Sequence, residues 1–88
     1  MPTSYSRATD EQRTNWAAAR RAVGGAIRAC RLEAGLTQEA LAIESGVTRN
    51  MLIHLEHGSR AVSFERIYDL ALALGVSVHR LVPESEAE

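Results

Sequence analysis

Five times along this 88-residue chain a threonine or serine stands just before a stretch of helical apolar spacing, and each time a glycine or proline closes it. The pairs are Thr9 with Gly35, Thr37 with Gly46, Thr48 with Gly58, Ser63 with Gly75, and Ser77 with Pro83. A hydroxyl side chain accepts from the free N–H groups of a first helical turn, and glycine takes the left-handed backbone that ends a last one. This punctuation cuts the chain into helices and leaves no alternation long enough for a strand.

The expected fold is therefore all-α with five helices. The first opens near Asp10, where Thr9 and Gln12 have the spacing of a capping box. Its apolar residues recur at Trp16, Ala19, Val23, Ala26 or Ile27, Cys30 and Ala34, one buried stripe. Gly24 and Gly25 sit inside that stripe and cost roughly 1 kcal/mol each relative to alanine. Either the helix breaks there or another element packs closely against it; a continuous or kinked helix is the favoured reading. The others are "QEALAIES", "RNMLIHLEH", "FERIYDLALAL" and "VHRLV". Residues 9–82 form one domain, with a flexible N-terminus at 1–8 and an acidic flexible tail at 83–88.

A chain this short buries about 60% of its unfolded surface and makes a poor host for a deep catalytic cleft. Its one cysteine, Cys30, excludes an internal disulfide and falls on the apolar stripe, where it reads as a small core residue. The N-terminus lacks the apolar run of a signal peptide, and no segment is long enough to span a membrane, so a cytoplasmic protein without a membrane partner is expected. His54 and His57 have no second ligand pair at a metal-binding spacing, so no metal, no cofactor and no enzymatic activity are expected. Net charge is −1, which by itself argues against a nucleic-acid partner. The distribution argues otherwise: Gln12 to Leu32 holds five arginines and no acid, and Arg13 to Val82 holds nine arginines against six acids, or +3.

The second and third helices share only the turn "SGV", which matches a helix-turn-helix. Leu41, Ala42, Val47, Leu52 and Leu55 are spaced to face inward, with Ala42 small enough for two helices to cross. That leaves Arg49, Asn50, Ile53, His54 and Glu56 or His57 on the remaining faces of the third helix. Arg49 and Asn50 stand in its first turn, where a recognition helix meets base edges. Arginine grips guanine O6 and N7 with two hydrogen bonds, and asparagine does the same to adenine N6 and N7.

"LTQEALAIESGVTRNMLIHLEHG" followed by "SFERIYDLALALGVSVHRLV" resembles the Cro/phage-repressor type of helix-turn-helix domain, the Xre family, over about residues 20–82. The matching residues are Gln38, Ala42, Gly46, Leu52 and Glu56, then Leu70, Ala71, Leu74, Gly75 and Leu81. The resemblance implies a five-helix lambda-repressor-like domain, here with an N-terminally extended first helix. It implies base reading by Arg49, Asn50 and His54, a phosphate contact and buttressing role for Gln38, and capping with phosphate contact for Thr48. Thr37, Arg28, Arg31, His57 and Arg60 become candidate phosphate contacts, and Arg31 with Glu56 a structural salt bridge. Ser45 departs from the family pattern where an aliphatic residue is usual, Val62 where proline is usual, and Ile43 and Ile53 where polar residues are common.

The function expected is a bacterial or phage transcriptional regulator, a repressor, that binds double-stranded palindromic DNA as a homodimer. The competing reading is a protein-interaction module or antitoxin on the same scaffold, bound to a toxin or other regulator through its N-terminal helix. Trp16 bears on the choice, because it needs a covering surface: the domain's own fifth helix or another subunit.

Overall fold

A computed structural model describes residues 8–84 of the chain, and the expectations for residues 1–7 and 85–88 lie outside the described residues. Five helices follow in order: α1 (Asp10–Glu33), α2 (Gln38–Ser45), α3 (Arg49–His57), α4 (Phe64–Leu74) and α5 (Val78–Leu81). No strand occurs among the described residues. Thr9 and Gln12 close a reciprocal capping box at the start of α1, while Thr37, Thr48 and Ser63 each accept from the third backbone N–H of their own helix. The fifth helix is shorter than expected. It ends at Leu81, and the Ser77 hydroxyl makes no capping bond.

Gly46, Gly58 and Gly75 take left-handed backbone at the ends of α2, α3 and α4, with φ of 80°, 74° and 70°. Leu41, Val47, Leu52 and Leu55 of the helix-turn-helix join Ile27 and Cys30 of α1, Ile67, Leu70, Ala71 and Leu74 of α4, and Leu81 of α5 in one core. Ala42 and Val62 pack half-buried against it. Ser45 is also half-buried; its Oγ accepts from the Val47 N–H at 3.1 Å, so the hydroxyl serves the turn backbone that an aliphatic residue would leave to water.

The paired glycines separate into two cases. α1 is continuous through both. A Cβ on Gly24 would overlap the Leu55 carbonyl oxygen and lie 3.0 Å from that of Glu56, whereas a Cβ on Gly25 would meet nothing within 4 Å. Gly24 is the point at which the backbones of α1 and α3 touch. Its cost in helix propensity is offset by the approach it permits.

Candidate nucleic-acid interface

The first turn of α3 carries Thr48, Arg49 and Asn50, all exposed. Thr48 Oγ1 accepts from the Met51 N–H at 3.1 Å, which leaves the N–H groups of Arg49 and Asn50 as the free donors of the turn. They point the same way as the positive end of the helix dipole. His57 is exposed at the other end of α3, and Arg60 is exposed in the loop after it. His54, between them, is half-buried, and its Nδ1 lies 3.2 Å from Ser59 Oγ, so the ring is drawn toward that loop.

A buried polar network holds α3 in place. Arg31 Nε and Nη2 donate to Glu56 Oε2 and Oε1 at 2.7 and 3.0 Å, and Arg31 Nη1 donates to the Leu36 carbonyl at 2.9 Å. Gln38 Nε2 adds a fourth bond, to Glu56 Oε1 at 3.2 Å. One carboxylate thus ties α3 to α1 and to the start of α2. The bond to Glu56 pushes the Arg31 guanidinium above its already high ordinary pKa. Stability from a raised pKa is lost only as pH rises past the unfolded value, so the Arg31 guanidinium keeps its charge at every pH where the protein is handled.

Arg31 does not fit the phosphate role expected of it. Its side chain is only 10% exposed and all three of its nitrogens donate inside the protein, which holds the guanidinium inward. Gln38, expected to touch phosphate and brace α3, has its amide nitrogen turned inward to Glu56. Arg28 and Thr37 are exposed, with the Thr37 hydroxyl capping α2.

The arginines of α1 share a side. At about 100° per residue, Arg13, Arg20, Arg21, Arg28 and Arg31 fall within an arc roughly 100° wide. Gly24 lies in the same arc, so this is the side that packs on α3. Arg20 Nε donates to the Gly58 carbonyl at 3.4 Å, and Gly58 sits against the Arg21 backbone. With Arg31 paired to Glu56 and Arg13 to Asp10, it is Arg20, Arg21 and Arg28 that give this side its net positive charge beside the third helix. The count of arginines alone does not give them a face; their positions on the helical wheel do.

Ile43 is 76% exposed and Ile53 half-buried. Trp16 is 52% exposed. It lines a cleft with α1, α3 and the loop before α4, to which α5 contributes no residue. Among the described residues no group of three or more His, Cys, Asp or Glu side chains could hold a metal ion, and no helix is long and apolar enough to cross a membrane.

Comparison with known proteins decides the family. A helix-turn-helix family model matches residues 27–81, more than half of the chain. The chain belongs to that family. A curated helix-turn-helix relative, the uncharacterised HTH-type transcriptional regulator y4dJ of Sinorhizobium fredii, is 40% identical over 67 residues, covering 76% of this chain and 87% of the relative. Among solved structures, the restriction-modification controller protein C.AhdI from Aeromonas hydrophila is 37% identical with a TM-score of 0.69, over 70% of this chain and 94% of that one. The clp gene regulator ClgR from Corynebacterium glutamicum is 39% identical with a TM-score of 0.67, over 70% and 80%. The hypothetical transcription factor NHTF from Neisseria is 28% identical with a TM-score of 0.72, over 85% and 80%. This helix-turn-helix protein is thus similar in sequence and fold to transcriptional regulators of the Xre/Cro type. The family match starts at residue 27, so more than two thirds of α1, with Trp16, precedes it.

Proposed function

We propose that this protein is a sequence-specific DNA-binding repressor that acts as a homodimer on a palindromic operator. The observation that carries the reading is the exposed first turn of α3, with Arg49 and Asn50 presented on a helix locked by the Arg31–Glu56–Gln38 network. Rigid support matters because base reading requires side chains held in one geometry. Arg49 and Asn50 read base edges, His54 contributes beside them, and Arg28, Thr37, Thr48, His57 and Arg60 position the phosphates. Each good two-bond base contact is worth about 1–3 kcal/mol of discrimination.

Duplication supplies what one small domain lacks. A single domain of this size covers too little DNA to be both tight and selective, and a dimer places two recognition helices in successive major grooves about 34 Å apart. Occupying a promoter in this way blocks transcription.

A second reading has one observation behind it: the half-exposed Trp16, on a part of α1 that precedes the family match. On that reading the chain is an antitoxin or interaction module that uses α1 to hold a protein. Salt dependence separates the two. A DNA reader loses affinity steeply from 50 to 200 mM salt through counterion release, as log Kd against log salt records. Arg28→Ala is expected to weaken binding to all DNA sequences about equally and to reduce the slope by about one per copy. A flat salt profile would leave the interaction module as the better account.

A further inference from the structure

The N-terminal half of α1 and the loop before α4 border a cleft of about 330 Å³. Trp16 and Val23 line it from α1 and Val62 from the loop, while Leu55 of α3, buried in the core, is its innermost residue. Two arginines, Arg20 and Arg60, line it as well, and no acidic side chain does. Arg20 is held by its Nε, which donates to the Gly58 carbonyl at 3.4 Å. Its Nη1 and Nη2 have no hydrogen-bond partner among the described residues, and Arg60 has neither a hydrogen bond nor an ion pair there. Arg13, Arg31, Arg66 and Arg80, by contrast, each face a carboxylate. The chain on either side supplies none to this cleft, since Gln12 to Leu32 and His57 to Phe64 hold no acid.

We propose that this cleft binds a small carboxylic acid with a flat aromatic body, and that its occupant is an effector that loosens the protein's hold on DNA. Each half of such a ligand answers one half of the cleft. The ring lies against Trp16, Val23 and Val62, where the half-exposed indole offers a face for stacking. The carboxylate accepts from the free Nη groups of Arg20 and from Arg60, because a planar guanidinium presents paired N–H donors that match two carboxylate oxygens. Two unpaired cations on one cleft also repel each other, and an anion between them removes that repulsion. The volume sits at the low end of the range of about 300–1,000 Å³ for ligand pockets, which suits a small molecule.

The effector role rests on the DNA-binding reading above. Arg60 is one of the residues proposed there to position phosphates, and Gly58, whose carbonyl Arg20 holds, is the C-cap of α3. A carboxylate on Arg60 withdraws that cation from the phosphate, so acid and DNA compete for one side chain. Linkage makes the effect reciprocal: DNA weakens the acid by the same factor.

Titration of the full chain with phenylacetate, followed by calorimetry and by the emission of its single tryptophan, Trp16, tests the cleft without DNA. Saturable binding is expected, at least about 10-fold tighter than that of phenylacetamide, which lacks the charge, or of acetate, which lacks the ring. Arg20→Gln, Arg60→Gln and Trp16→Ala change exposed or half-buried residues, so helix content by circular dichroism should persist. Each should weaken phenylacetate by at least about 10-fold in calorimetry, the arginine variants by narrowing the gap between acid and amide. On the operator, saturating phenylacetate should raise the DNA Kd about 5- to 150-fold, and Arg60→Gln, weaker on DNA from the start, should no longer respond. The proposal is overturned by the absence of saturable binding, by equal affinity for acid and amide, or by wild-type affinity in the variants. It is also overturned if Trp16 emission follows protein concentration and ignores added acid, because a second copy of the chain then fills the cleft. Binding of the acid with no change in DNA affinity overturns the effector role. Failure of the DNA reading would look different: the acid binds as expected, and the protein shows no preference among DNA sequences with or without it.

Discussion

Gly24→Ala is expected to lower unfolding free energy by about 3 kcal/mol or more, because the added methyl meets the Leu55 and Glu56 carbonyls, which belong to backbone and cannot rotate away. For a domain of this length that is a fall in Tm of roughly 12–24 °C. Gly25→Ala, one residue along the same helix, should do the opposite. Its methyl enters open space, so the helix gains about 1 kcal/mol in propensity and Tm rises by roughly 4–8 °C. Thermal melts of the two variants therefore separate close approach from helix propensity at adjacent positions. Equal effects would mean that α1 and α3 do not touch at Gly24.

Arg31→Met is the second large effect. It leaves the Glu56 carboxylate, whose side chain is only 2% exposed, with Gln38 as its remaining partner, and an uncompensated buried charge costs about 3–5 kcal/mol. Adding Glu56→Met removes the charge as well as its partner, and two apolar side chains of similar volume should recover most of that loss. Chemical denaturation of the single and double variants measures it. The double variant also isolates function from stability: if Glu56 acts only by holding α3, its fold returns while DNA affinity drops with the loss of that fixed position. A double variant as unstable as Arg31→Met would show that the site fails to repack.

The sequence was most legible where one residue decides one local event. Hydroxyl caps and glycine stops depend on neighbours three or four residues away, and the boundaries of α2, α3 and α4 follow from them. Ser77 shows where this fails: α5 has four residues, too short for its cap to matter against the packing of Leu81. Properties set across space were harder to read. Both glycines carried the same expectation of cost, and only the position of α3 separates Gly24 from Gly25. Arg31 was expected both in a salt bridge and on a phosphate, and burial leaves room for the first alone. In "FERIYDLALAL" apolar residues fall on most sides of α4, and only packing decides that the core claims Ile67, Leu70, Ala71 and Leu74.

The central claim is that α3 reads bases through its first turn, and selection of bound fragments from a random DNA pool tests it most directly. The wild type is expected to enrich an inverted repeat with half-sites about 34 Å apart centre to centre. Arg49→Ala and Asn50→Ala should still retain DNA, since the phosphate contacts remain, while each loses the preference at one base position in each half-site, a drop of roughly 5- to 150-fold. Recovery of the same preferred sequence by both variants, or no enrichment by the wild type, would contradict the account.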